Sequence, residues 1–453
     1  MRHGLVVLVL LLSSTLVSPV GAAVFSVDSM LDAVDAAPGN GICATASGTC
    51  TLRAAVQEAN ALSGADSITL PAGTVLLTLA GIDEEAAATG DLDVTETLTI
   101  EGQGAALTTI DGNGLDRVLH VVFPSISPPG LTLRDLTVTG GQVSDDPGAG
   151  LYFASSGVAL IERTVFTDNH VAGSTSSAIR SAISSNAGGV LTVRSSRLAG
   201  NSADRGGALF SNSTLVVEDS AIVDNDARAG SALMAYGATI LRRSLVSGNE
   251  ATGNHTIATE TGTLEIEDTT ISGNVDPSAI LNAVDVAVTL RNVTITGNDA
   301  WRVVRASTGA TVEILNSIVY NPLAVHECET GGGGSLASLG STLDRDGSCA
   351  TGAAGDQPSV DPLLGPLAGN GGPTDTHRLL PTSPAIDAGD DGSCTLQDQR
   401  GVARPQDGDG DGRARCDLGA VEVPEPGGAA LGLATIGALA ACARRRRRIG
   451  RAA

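Results

Sequence analysis

Two acids 24 residues apart, Asp226 and Glu250, each directly follow an asparagine. On adjacent turns of a repeating strand structure they would lie ~5 Å apart, the separation a retaining glycosidase needs between nucleophile and acid. Arg228 and Asp204 fall near the same place. The pair belongs to a series, His170, Ser202, Asp226, Glu250, Val275 and Asp299, whose members are mostly polar. A solvated turn explains such a series without chemistry. The expectation is therefore of no catalytic group, with Asp226 and Glu250 the residues an enzyme would use. A second set is DGDGDG, Asp407 to Gly412, which places Asp407, Asp409 and Asp411 at alternate positions. That spacing suits one hard cation such as calcium in a tight loop. Position twelve of a full EF-hand loop falls on Leu418, one residue past Asp417, so a plain acidic turn is the alternative. Calcium is the one cofactor suggested. Of seven cysteines, Cys442 lies in an apolar tail, leaving Cys43, Cys50, Cys328, Cys349, Cys394 and Cys416. An even set suits disulfides in an oxidising compartment, and pairing of sequence neighbours is the simplest connectivity. No C-x-x-C pair points to zinc or redox chemistry.

The elements that would position these residues announce themselves by repetition. Asparagines recur at Asn169, Asn201, Asn225, Asn249, Asn274, Asn298 and Asn321, most of them 23 to 25 residues apart. The third residue before each is apolar: Phe166, Leu198, Ile222, Val246, Ile271, Ile295 and Ile318. The eighth residue before the first six is apolar too, and alternation between these positions is strand periodicity. A unit this short cannot bury its apolar face alone, so neighbours must stack and pair in parallel. Neither a six-residue period nor a leucine-rich frame is present. The fold class expected is all-β, a right-handed parallel β-helix of about 24 residues per rung. Asn201, Asn225, Asn249, Asn274 and Asn298 then form a turn ladder, satisfying backbone groups and tolerating the left-handed conformation. Seven residues before each mark, the charge alternates in sign through Glu162, Arg194, Glu218, Arg242, Glu267 and Arg291, with Arg134 in front. Stacked in register, each charge would meet its opposite above and below.

Composition narrows the function classes. All 27 basic residues are arginine, and 50 acids bring the formal charge to -23, which argues against a nucleic-acid partner. Aromatics make up 2% of the chain while glycines number 57. Residues 1–22 have a basic start, an apolar run and small residues at the end, the layout of a secretory signal. Gly427 to Ala443 is long enough for a marginal membrane span, and five consecutive arginines follow it.

Several phrases resemble those of known exported proteins. CTLRAAVQEANAL is similar to the CSLREA motif that opens many secreted bacterial β-helix proteins, with Thr51 and Ala54 departing from it. The run Thr51 to Leu62 reads as a short helix, with Leu52, Ala55, Val56 and Ala59 on one side, capping the solenoid. FTDN and GGAL phrases resemble polymorphic outer-membrane protein repeats. SPAIDAG and CDLGAVE resemble the C-terminal region of the same secreted proteins. VPEP, the apolar stretch and the arginines resemble a PEP-CTERM sorting signal, in which Val423, Pro424, Glu425 and Pro426 are the recognition motif and a membrane sorting peptidase removes the tail. A permanent anchor is the alternative. The organisation expected is a signal peptide over 1–22, an N-terminal cap over 23–80 and β-helix repeats over 81–325. A Gly/Asp/Cys-rich region of loops over the far end follows at 326–422, and a sorting tail at 423–453. The resemblance implies an exported protein of the bacterial cell surface or its extracellular matrix. There it would act as a non-catalytic scaffold or adhesin associated with extracellular polysaccharide. The other function class open to this fold is a polysaccharide lyase or glycoside hydrolase on a pectate-lyase-like β-helix.

Overall fold

The structure is a computed structural model that describes residues 21–425 except 83, 123–127, 174–180 and 187. Residues 1–20 of the signal-like segment, Pro426 and the apolar tail lie outside the described residues. Among the described residues no helix is long and apolar enough to cross a membrane.

The repeat builds a right-handed parallel β-helix, as its period requires. One rung shows the logic. Thr214–Glu218, Ala221–Val223, Asp226–Ala229 and Leu233–Ala235 are four short strands separated by tight turns. Leu215, Val217, Ile222, Ala227 and Leu233 point inward and are buried, while their neighbours in sequence face out, the period-two rule of a strand. Successive rungs pair in parallel, Leu191 to Leu215 to Thr239, so three sheets of 12, 11 and 15 strands run along the axis. The third sheet is larger because five of its ten rungs give it two strands. Paired strands extend on both sides of residues 81–325, from Val24–Ser26 to Leu343–Asp344.

Asn169 through Asn298 are fully or almost fully buried, and from Asn169 to Asn274 each Nδ2 donates to the next asparagine's Oδ1 at 2.8 to 3.1 Å. That oxygen also accepts the backbone N–H of the preceding rung, as Asn249 does from Asn225 at 3.1 Å. The asparagines themselves are not left-handed. The residue before each one is, as at Asp168 (φ 53), Gly200 (φ 66), Asp224 (φ 56) and Gly248 (φ 67). Aspartate and glycine take the conformation that disfavours a Cβ, which frees the asparagine amide to point inward. Ile318 also departs from expectation. Val319, not Ile318, pairs with the inward Ile295, because the last step of the repeat is one residue short. Ile318 therefore faces outward.

A second ladder escaped the sequence reading. Thr164, Ser196, Ser220, Ser244 and Thr269 stand five residues before their asparagines, all buried. The hydroxyl of each of the last four accepts the backbone N–H of the residue one rung before, at 3.1 to 3.3 Å.

At the N-terminal end the helix Leu52–Ala61 closes the core, with the Thr51 hydroxyl accepting from Ala54 N–H at 3.1 Å as its N-cap. Leu52, Ala55, Val56 and Ala59 join the main core. The opposite side is buried as well. Arg53 is held by Asp32 at 2.6 Å and donates to the carbonyls of Ala87, Gly90 and Asp91.

The C-terminal region is not simply a set of loops over the far end. Glu327, bound to Asn321 N–H at 2.7 Å, ends the asparagine ladder there, beside the Cys328–Cys349 disulfide. Residues beyond 360 instead fold back along the outer face of the second sheet. Thr270 donates to Gln399 at 2.7 Å, Ser272 meets His377 at 2.8 Å, and Ala420 N–H reaches Thr294 at 2.9 Å. Those outward residues are short and carry hydroxyls, which lets a covering chain approach and bond.

Candidate functional site

The outer face of the third sheet collects the polar series read from the sequence. His170, Ser202, Asp226, Glu250, Val275 and Asp299 are consecutive register partners, one per rung. They are the first residues of strands rather than turn residues. Inward partners such as Ala227 and Ala251 are small and buried, so the strand fixes the outward direction of Asp226 and Glu250. Both acids are exposed on adjacent rungs. Desolvation, then the Glu250 charge, raises the Asp226 pKa, against a smaller opposing pull from His170. An acid with raised proton affinity beside a second carboxylate is the pairing that acid-assisted hydrolysis of a glycoside uses.

Arg228, two residues beyond Asp226, is engaged by Asp204 on the preceding rung through two hydrogen bonds of 2.9 and 3.2 Å. On the strand that carries Asp299, Trp301 is 50% exposed, and period two puts it on the same face. Val275, 44% exposed, lies beside Asp299. The sequence reading passed over this tryptophan, which is the single one in the chain.

The acidic loop regroups. Ligand atoms of Asp387, Asp407 and Asp409 lie within 4.8 Å of one another, with Asp387 taking the place expected of Asp411. Asp411 turns back to accept Arg413 N–H at 2.8 Å. Desolvation, then repulsion from Asp409 and Asp407, raises the Asp387 pKa. These three acids are the ones that could hold a hard cation. Their oxygens also serve the loop itself, Asp407 accepting from Gly410 and Gly412 N–H at 2.8 Å each. The sequence signal for Asp387 is the SPAIDAG phrase, whose docking against DGDGDG is a tertiary event. The disulfides Cys43–Cys50, Cys328–Cys349 and Cys394–Cys416 pair neighbours in sequence, as expected. Of the residues expected to form a sorting motif, Val423 N–H donates to Asp417 at 2.6 Å, while Pro424 and Glu425 are exposed.

A parallel solenoid with this hand and rung makes the molecule a β-helix protein. Residues 130–313 match the family model described as a right handed beta helix region. Among solved structures the chain is similar to pectate lyase Pel9A, at 15% identity and a TM-score of 0.52, covering 89% of this chain and 96% of that one. It is also similar to the A-module of the Azotobacter vinelandii mannuronan C-5 epimerase AlgE6, at 14% identity and a TM-score of 0.37, covering 68% of this chain and 92% of that one. At such identities the likeness is one of fold. No curated protein matches the sequence.

Proposed function

We propose that the protein is an exported β-helix that holds an extended polysaccharide along the outer face of its third sheet, as a scaffold or adhesin of the cell surface or extracellular matrix. One observation carries the reading: an in-register outward column, polar except at Val275 and with Asp226, Glu250 and Asp299 exposed, runs beside an exposed tryptophan. Rungs repeat every ~4.8 Å, close to the length of one pyranose unit, so a chain lying along the axis meets one rung per sugar. Carboxylates accept from sugar hydroxyls and the indole stacks on a ring face. The column is acidic, and its arginine is engaged by Asp204, so neutral glycans suit it better than polyanions. Export is supported by the signal-like first 22 residues and the three disulfides. The tail would pass to a membrane sorting peptidase.

A second reading keeps the same face and adds hydrolysis, with Asp226 as proton donor and Glu250 as nucleophile. The raised proton affinity of Asp226 favours it. Incubation with neutral and acidic glycans, scored for retention and for chain cleavage, separates the two. The expected result is retention of a neutral glycan without cleavage, weakened at least about tenfold in Trp301→Ala. Cleavage lost in Asp226→Asn with Glu250→Gln, on an intact fold, would establish hydrolysis instead. Retention of no glycan would overturn both readings.

A further inference from the structure

Near the N-terminal end of the third sheet, a buried acid has one oxygen that accepts no hydrogen bond. Asp93, in the strand Leu92–Val94, is completely buried. Its Oδ2 accepts Ala87 N–H at 3.0 Å, while its Oδ1 accepts no hydrogen bond. The next rung places His120 beside it as register partner, with Nδ1 3.3 Å from that free oxygen. The same nitrogen lies 3.9 Å from Oε2 of Glu85, on the loop before the strand. The ligand atoms of Glu85, Asp93 and His120 all fall within 4.8 Å of one another.

The surroundings hold the imidazole and keep other cations away. One rung on, Tyr152 stacks on His120 with ring centroids 5.1 Å apart and planes 13° from parallel. Arg117, the neighbouring guanidinium, is engaged elsewhere: Nε meets Asp91 at 2.6 Å and one terminal nitrogen donates to Pro147 O at 3.0 Å. Its charge is spent on Asp91 and not on the free oxygen of Asp93.

We propose that Glu85, Asp93 and His120 form a binding site for one divalent transition-type ion, with Zn2+ the ion the donor set fits best. One imidazole nitrogen and two carboxylate oxygens are a borderline donor set, whereas calcium and magnesium prefer oxygen alone. Zinc bonds of about 2.1 Å in a tetrahedron hold their donors roughly 3.4 Å apart. The two measured nitrogen-to-oxygen separations bracket that value. Three protein ligands leave the fourth position open on the side of Glu85, whose side chain is 61% exposed, so water or a sugar oxygen could complete the shell. An ordinary ion pair of His120 with Asp93, and with Glu85 as a second acid, is the competing account, and titration with a metal separates the two. The acid cluster at Asp387 differs, since its oxygens already accept backbone N–H groups.

The test takes the full chain without a histidine tag, strips it with chelator, and titrates Zn2+ by calorimetry and Co2+ by visible absorption. One equivalent is expected, with Co2+ bands that zinc displaces. Glu85→Gln, a surface change, should weaken Zn2+ binding at least about tenfold, and His120→Gln should abolish the Co2+ bands. Asp387→Asn should leave both unchanged. No binding of Zn2+, or binding by Glu85→Gln as tight as by the wild type, would overturn the site even if His120→Gln failed to fold.

Discussion

Asn249 concentrates what a single side chain does for this fold. Buried in the ladder, its Oδ1 accepts from the N–H and Nδ2 of Asn225, and its Nδ2 donates to Asn274 Oδ1 and to the Ile222 carbonyl, each at 2.9 to 3.1 Å. Asn249→Ala strands several of these groups without water, and a loss of about 3 kcal/mol in chemical denaturation is expected. A loss well under 1 kcal/mol would mean that solvent reaches the turn. The ladder was legible because a residue that repeats at fixed spacing must stack. The left-handed slot before it was not, because aspartate and glycine share that position and neither repeats alone. Asp268 makes a pH prediction. Burial pushes its pKa up to about 7, against the pull of Arg404 at 3.7 Å. The folded chain thus keeps a proton that the unfolded chain releases near pH ~4, so this stabilisation is full below about pH 4 and is lost as pH rises through 7. Glu327, raised to about 7, and Asp276, raised to about 6, act with the same sign. Acids lowered by arginines, such as Glu162 and Asp135, lose their contribution only below about pH 4. Melting temperature should fall between about pH 5 and pH 8. Asp268→Asn should flatten that slope, since Asn292 and Asn316 already occupy the same left-handed column. An unchanged slope in the variant would mean that Asp268 is ionised throughout.

Between strands, the alternating charges set register. Arg134, Glu162, Arg194, Glu218, Arg242, Glu267 and Arg291 are successive register partners in the first sheet, as their sequence spacing required. Arg242 bonds Glu218 at 2.6 Å, and Arg291 meets Glu267 at 3.2 Å. Looping out one rung would set like charges opposite each other at that step, in place of two favourable pairs. Arg242→Glu places acids on three consecutive rungs. The side chain is 40% exposed, so the expected loss is about 1 kcal/mol, partly restored at high salt. Wild-type stability at low ionic strength would mean that solvent screening cancels the column. Periodic elements were thus readable from one sequence, whereas the double width of the third sheet and the placement of Trp301 on it were not. Those depend on where each rung bends, and bends are set by neighbours above and below.

At the scale of the molecule, the least legible feature is the C-terminal cover. Its contacts join residues more than a hundred positions apart, as between Thr270 and Gln399, and no repeat marks them. The solenoid under it is stabilised rung by rung through nearest neighbours. The cover instead depends on a small core in which its Leu379, Ala385 and Leu418 pack on Ile318 and Leu343 of the last rungs, on Arg404 between Glu422 and Asp268, and on the Cys394–Cys416 link. The two parts should therefore fail separately. Removing a cross-link that closes a loop of 22 residues costs about 3 kcal/mol, a loss that falls on the cover alone. The chain has no lysine, so trypsin cuts only after arginine and reports directly on which part opens. Arg400, held by Asp398 at 2.6 Å and nearly buried, is a protected site in the closed cover. In Cys394→Ser with Cys416→Ser, cleavage after Arg400 should accelerate by about a hundredfold, while the strands that carry Arg194 and Arg242 stay intact. Fragments from those strands appearing at the same rate would show that the solenoid cannot stand without its cover.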